Sequence, residues 1–271
     1  MSFDLLVIGT VSIDTLHFAG KTAIVPGGAG LYTALAAAKA GANVTLFAPL
    51  PNPIPEVLNP ISKSIKWIGP IISTEELPRL EIAHYGHGIA KLLNASWAGT
   101  SKLTTANIPL DISKFNYIHI AALETAQRQL DFLWTCRKFP NTKISVGTYA
   151  KIVYGEKTSV QKLFDEADFF FMNENEAKGL FGSTDNLLID TKKLLFVTRG
   201  KEGALIIQNH SIIRIPGILV TELDPTGAGD TFCGATLAKL IYSLSPTDAA
   251  NFGVQLAAQM IEAVGPTFLL T

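Results

Sequence analysis

The chain has 271 residues, 48% of them hydrophobic, which is enough to bury one large core and favours a single α/β domain spanning 1–271. A formal net charge of −1, from 22 basic and 23 acidic residues without a basic run, argues against a nucleic-acid partner. The two cysteines, Cys136 and Cys233, lack metal spacing and suit a reducing compartment, while the longest apolar runs, "KLLFVT" and "ADFFFM", are too short to cross a bilayer.

Along the chain, "MSFDLLVIGT" runs straight into a first strand over 4–9 rather than through a leader, so a cytoplasmic protein with no membrane partner is expected. "GLYTALAAAKAGA" (30–42) reads as an alanine-rich helix closed by Gly41, and "NVTLFAPL" follows as a strand. Further strands are predicted over 117–121, 143–146, 168–172 and 194–198, with helices over 125–138 and 157–167. Two helical patterns, 227–243 and 246–264, close the chain, the second capped by Ser245 or Thr247. Alternation of this kind predicts a mostly parallel sheet with helices on both faces. Two stretches break the rhythm, about 14–26 and 74–103; both look hairpin-like, the second turning about Gly86, His87 and Gly88. They are either decorative hairpins or a small β flap that excludes water from a site.

The most informative stretch is "LDPTGAGDTF" (223–232), because the helical spacing of Phe232, Leu237, Leu240 and Ile241 places its glycines at a helix N-terminus. Free amides and the positive end of the dipole make an anion site there, and Gly227, Ala228 and Gly229 let the backbone approach the anion. Asp230 either complements the helix dipole or is a base that takes a proton from an alcohol attacking the bound anion, as phosphoryl transfer requires. Elsewhere, "FFFMNENEAKGLFG" puts Asn173 and Glu176 at a strand-to-helix junction, a cap or a place where a carboxylate could hold a hard cation. "LLFVTRGKEGALI" reads as strand, glycine turn, strand. Asp14 lies just past the first strand, and Gly27 and Gly28 precede a helix.

"DPTGAGDTF" resembles the C-terminal signature of the ribokinase (PfkB-type) family of small-molecule kinases, and the other segments fall in that family's order. The resemblance implies a three-layer ribokinase-like α/β fold: a mostly parallel central sheet flanked by helices, with a small β lid at 14–26 and 74–103. It implies that Asp230 is the catalytic base, that the amides of Gly227, Ala228 and Gly229 form the anion hole, and that Asp224 is the motif's first acid. Asn173, Thr198, Gly200, Gly203, Gly227 and Gly229 would then bind the nucleotide, with Asn251, Gly253 and Val254 near adenine. Glu176 would serve Mg²⁺, and Asp14, Gly27, Gly28, Glu124 and Asp230 would meet the acceptor. Tyr32 stands where ribokinase-like sequences commonly carry Asn, which disfavours ribose itself and favours a ring-bearing or bulkier acceptor, so the resemblance implies transfer of the γ-phosphoryl group of ATP to a hydroxyl of a nucleoside, cyclitol or modified sugar. ATP and Mg²⁺ are the implied cofactors, with a monovalent cation left open, and a homodimer through the lid is the implied assembly.

Rival readings are a non-catalytic nucleotide- or sugar-binding protein on the same fold and a vitamin-precursor kinase of the same superfamily. A dinucleotide oxidoreductase would need G-x-G-x-x-G after its first strand, which "VIGTVSID" does not supply. His84 and His87, three apart on a strand, point to opposite faces and do not pair as metal ligands. Arg79 and Lys91 read as solvated flap charges. Cys233 reads as a small packed residue, or as a thiol whose pKa the helix dipole lowers.

Overall fold

The structure, a computed structural model, describes residues 4–18, 20–85, 90–109, 111–183 and 193–271. The predicted turn at Gly86, His87 and Gly88 lies outside them, as does the metal reading of His87.

Strand β1 (Asp4–Ile8) is followed by the hairpin β2 (Ser12–Phe18) and β3 (Lys21–Gly27), and then by helix α1 (Ala29–Lys39). Next come β4 (Asn43–Phe47), β5 (Leu50–Pro51), α2 (Ile61–Ser64), β6 (Lys66–Ile68), β7 (Ile71–Ile72), β8 (Arg79–His84) and β9 (Ala90–Ser96). The middle of the chain supplies β10 (Tyr117–Ile120), α3 (Ala126–Cys136), β11 (Lys143–Gly147), α4 (Ala150–Gly155), α5 (Lys157–Glu166), β12 (Phe169–Asn173) and α6 (Glu174–Phe181). The last part holds β13 (Leu194–Thr198), β14 (Ala204–Gln208), β15 (Ser211–Ile215), α7 (Ala228–Ile241), α8 (Pro246–Met260) and α9 (Thr267–Leu270).

The main sheet runs β15-β14-β13-β12-β11-β10-β1-β4-β6. Every pairing from β6 to β13 is parallel, and the two at the β15 end are antiparallel. Its strands are apolar on both faces because both are covered. Leu6, Ile8, Ile118, Ile120 and Val146 pack with Leu130, Leu133 and Val160 of α3 and α5, while Leu5, Val7 and Leu46 pack with Leu31, Leu35 and Ala238 of α1 and α7. The period of two along each strand thus divides the core into two layers around the sheet. The expected three-layer ribokinase-like architecture is the one found.

The chain passes from β1 to β4 on one side and later returns to β10 on the other, so the strand order reverses at β1. Such a switch point opens a crevice beyond the carboxyl ends of the strands, where ligands of open α/β sheets bind. Over that end lies a second sheet, β3-β2-β8-β9, in which β2 and β8 pair in parallel and the outer pairs are antiparallel. Its strands occupy the core of the predicted stretches 14–26 and 74–103, and short 3₁₀ turns at Thr74–Glu76 and Ala98–Lys102 take the flanks of the second. Three short helices, α2, α4 and α9, went unpredicted; α4 is a separate turn capped by Glu156, whose carboxylate accepts the Ala126 N–H (3.0 Å) at the start of α3.

Candidate active site

The loop into α7 is fixed by Asp224, which is fully buried. Its Oδ1 accepts the Thr226 N–H (2.9 Å) and its Oδ2 accepts the Gly265 N–H (2.7 Å). Gly227 then caps α7 at φ +77°, and a Cβ there would run into the Tyr32 ring. That double constraint explains why only glycine serves. The three amides expected to form an anion hole are not equivalent. The Ala228 N–H is used in the turn, donating to the Pro225 carbonyl (3.1 Å). Those of Gly227, Gly229 and Asp230 find no acceptor among the described residues, so Asp230 takes the place of Ala228 in the free set. With the dipole of a 14-residue helix behind them, they present positive potential to the cavity in front.

That cavity, about 260 Å³, is lined by Gly227, Gly229, Asp230, Asn173, Glu176 and Thr198, with His119, Thr148 and Cys233 at its inner end. Among the described residues no Lys or Arg lines it, so backbone amides are the positive groups these residues offer an anion. Burial, with the charge of Glu176 added, pushes the Asp230 carboxyl up to about 7. Glu176 forms a full capping box with Asn173: Oε2 accepts the Asn173 N–H (2.9 Å), Oε1 accepts Asn173 Nδ2 (2.6 Å), and the Glu176 N–H donates to Asn173 Oδ1 (2.9 Å). Burial outweighs those bonds and lifts Glu176 to about 7. Of the two alternatives the sequence offered, the structure shows the cap, and both Glu176 oxygens are held by Asn173. Among the described residues no group of three His, Cys, Asp or Glu could hold a metal by itself. Two carboxylates on one wall suit a hydrated Mg²⁺ that arrives on phosphates, not a protein cage.

His119, at the floor, accepts from or donates to Ser145 Oγ (2.9 Å) and lies 3.7 Å from the Cys233 sulfur; burial holds its pKa down at about 3. The Cys233 thiol is pushed well above its ordinary value by burial and by Asp230. Burial thus defeats the helix dipole, and Cys233 is packing rather than a nucleophile.

On β2, Asp14 is buried and sits against Gly27, where a Cβ would collide with its carboxylate. Burial, with the charge of Asp224 added, lifts Asp14 to about 6. Gly28, at φ +102°, caps α1 with its Cα against the Thr10 carbonyl. Asp14 Oδ1, Ser12 Oγ, the Tyr32 hydroxyl and His84 Nδ1 are buried and complete no well-formed hydrogen bond among the described residues, although the Ser12 hydroxyl lies near enough to Asp14 to lower its pKa. Orphaned polar atoms of this kind are rare in folded proteins and mark groups that a ligand or water satisfies. Tyr32 itself differs from expectation. It is 1% exposed and its ring lies under Gly227, so its face is not open to an acceptor ring. Glu124 also differs: it is drawn to the surface by Arg128 one helical turn later (3.4 Å), whose other nitrogen bonds the Thr100 and Leu103 carbonyls. It does not line the cavity with Asp230.

A second cavity, about 280 Å³, continues past Thr198, Pro225, Ala228 and Gly229, which line both. Gly200, Lys201 and Gly203 form one wall and the loop from Gly217 to Val220 another. The third is the face of α8 carrying Val254, Ala257 and Ala258 with Ile261 beyond, one side of a helix by spacing. Of Asn251, Gly253 and Val254, Val254 alone reaches it. Gly253 is turned the other way, against Phe232 and Thr236 of α7, where a side chain would prevent the two helices from meeting. The loop 217–220 escaped the sequence reading; its signal was an apolar run, "ILV", in a stretch with no strand partner. Among the described residues His84 joins no metal cluster; it bonds the Asp224 loop, and Arg79 and Lys91 are exposed on β8 and β9.

Comparison with known proteins bears on the fold and the family. A cytidine kinase from Thermococcus kodakarensis is 26% identical over 97% of this chain and 97% of its own length. The adenosine kinase from Sinorhizobium meliloti superposes with a TM-score of 0.84 at 18% identity, covering 98% of this chain and 96% of that one. A ribokinase from Cryptococcus neoformans var. grubii serotype A, solved in complex with ADP, superposes with a TM-score of 0.82 at 19% identity, covering 99% and 97%. These two likenesses establish the fold. Residues 2–271 match the family described as pfkB family carbohydrate kinase, and the chain belongs to that family of phosphotransferases acting on alcohol groups.

Proposed function

We propose that this kinase moves the γ-phosphoryl group of ATP to a hydroxyl of a nucleoside, with Asp230 as the base. One observation carries the reading: the unused amides at the start of α7 and the Asp230 carboxylate border the same cavity, itself continuous with an apolar cleft. The acceptor class rests on the full-length similarity to a cytidine kinase.

In this mechanism Asp14 and Ser12 accept from and donate to acceptor hydroxyls, and Gly27 and Gly28 leave room for the ring. Asp230 takes the proton of the attacking hydroxyl as the new P–O bond forms, while the bond to the leaving ADP oxygen breaks with its electron pair. The amides of Gly227, Gly229 and Asp230 stabilise charge on the transferring group. Val254, Ala257 and Ala258 receive the adenine, beside Thr198, Gly200 and Gly203. Mg²⁺ bound with ATP would supply neutralisation of phosphate charge, and Glu176, its oxygens held by Asn173, would be the carboxylate to hold it, through water. A panel of cytidine, adenosine, inosine, ribose and myo-inositol scored for ADP release with Mg-ATP tests the reading. Nucleosides are expected to lead in kcat/KM, and a preference for free ribose or myo-inositol would overturn the acceptor class.

Because the base acts only when ionised, and Asp230 is held at about 7, kcat/KM is expected to rise with pH through neutrality and level off above it. Glu176→Gln removes a charge that disfavours ionisation of Asp230, so the inflection moves to lower pH. An inflection that stays in place would separate the two carboxylates.

The second sheet also carries the proposed dimer surface. Ile24, Tyr85, Leu92 and Leu93 are 64%, 63%, 50% and 48% exposed, and β9 is its edge strand. Such a surface favours pairing with a second copy. Sedimentation equilibrium is expected to give a dimer that Leu92→Glu with Leu93→Glu converts to monomer; a wild-type monomer at all concentrations would refute it.

A further inference from the structure

One contact joins the second sheet to the phosphate loop across 142 positions of sequence. His84, near the end of β8, has its side chain 5% exposed and places Nε2 3.1 Å from Thr226 Oγ1 and 3.3 Å from Asp224 Oδ1. Asp224 is the group that shapes the turn into α7, through the Thr226 N–H, and that holds the C-terminal turn, through the Gly265 N–H. Gly265 packs directly on Val25 of β3, at φ +59°, where a Cβ would press on the valine side chain. The second sheet therefore meets the Asp224 hub at two independent places, His84 from β8 and Val25 from β3. These lie on different strands of one sheet, so the hub senses the position of the sheet as a whole.

Resting on the phosphotransfer reading, we propose that His84 is a positioning residue. By donating from Nε2 to the Thr226 and Asp224 oxygens it latches the second sheet onto the phosphate loop, so that closure over the acceptor and alignment of the amides of Gly227, Gly229 and Asp230 are one event. The geometry has a direct consequence. Thr226 is two residues before the helix starts, its backbone N–H is already held by Asp224, and its side chain is the part left to report on the sheet. With the latch formed, the loop is fixed from both sides. With it broken, the Asp224 cap survives but Thr226 Oγ1 and the buried Asp224 oxygen lose their outer partner, and the turn gains freedom. Loss of the latch therefore loosens the loop without unfolding α7. It also admits water to the transferring phosphoryl, because the sheet no longer seats on the site.

The test is amide hydrogen exchange read by mass spectrometry on the full chain. In His84→Ala, peptides within 222–230 are expected to exchange about tenfold faster while those of the main sheet are unchanged and Tm moves by less than about 3 °C. His84→Gln, whose amide can still donate to Thr226, is expected to restore most of the protection. Thr226→Val removes the facing oxygen and is expected to loosen 79–85 instead, which provides the readout should His84→Ala fold poorly. In kinetics, His84→Ala is expected to raise acceptor-independent ADP release from Mg-ATP relative to transfer, and to raise the acceptor KM more than it lowers kcat. Unchanged exchange over 222–230, or uniform loosening in both His84 variants, would overturn the latch. Exchange is independent of turnover, so a protein that proves inactive on every acceptor would sink the phosphotransfer reading and leave this test standing.

Discussion

Asp230→Asn is expected to lower kcat by about a thousandfold, in the middle of the range that a positioned general base contributes. The amide is nearly isosteric, so the cavity and the free amides at the start of α7 keep their places. The affinity for Mg-ATP should accordingly stay within about threefold, because the lost carboxylate repelled the phosphates rather than held them. A second expectation, on stability, points the opposite way. The native fold holds the Asp230 carboxyl at about 7, above its ordinary value of 3.8. Folded protein therefore binds a proton that the unfolded chain releases, and the native state loses stability as pH rises through that window. Asn removes this penalty, so the variant is expected to melt above the wild type at pH 8 and to match it near pH 4. Higher stability with lost turnover is the signature of a residue kept for chemistry, and calorimetry with steady-state kinetics on one preparation reads both. A loss in kcat smaller than about tenfold would take the base role from Asp230.

Gly227→Ala is the substitution with the next largest effect. Two costs combine at one atom. Gly227 sits at φ +77°, where a non-glycine residue costs about 1–2 kcal/mol, and its new methyl would meet the buried Tyr32 ring. The ring is 1% exposed and cannot move aside, so the loop must. Displacing the loop shifts the amides of Gly227 and Gly229 and with them the stabilisation of transferring charge, for which about a hundredfold in kcat is the expected loss. Tyr32→Ala in the same chain relieves the collision but not the backbone strain and opens a cavity of its own, so the double variant should be destabilised by less than the sum of the two single variants. Additive destabilisation in the double variant would show that the ring and the loop do not press on each other.

Much of this was legible in the sequence because it rests on local physics. Apolar runs such as "DLLVIG" and "LLFVT" could only be buried strands. The small residues before "DTF" marked a helix start whose free amides suit an anion. What the sequence did not disclose depends on which way a residue faces once helices pack. Asn251, Gly253 and Val254 are near neighbours in α8, yet Gly253 faces α7 and Val254 faces the cleft, a rotation that the packing of α7 on α8 sets. The amide of Ala228 looked as free as its neighbours until the turn from Pro225 claimed it. Tyr32 stood in a helix whose residues Gly30 to Ala37 are all buried, so its position in sequence could not tell whether its ring met a ligand or the Gly227 backbone. Glu124 was placed by its neighbour Arg128, a competitor visible at i+4 spacing. His84 was legible only as a histidine on a strand; its partners come from the far end of the chain.

The most direct test is to follow label from γ-labelled ATP in single-turnover mixtures with cytidine, adenosine or inosine, comparing wild type with Asp230→Asn at pH 8. Label moving into a nucleoside hydroxyl with the wild type, and nearly absent from it in the variant while ATP still binds, is the result expected. Label that reaches only inorganic phosphate with every nucleoside, or that transfers equally well without the carboxylate, would contradict it.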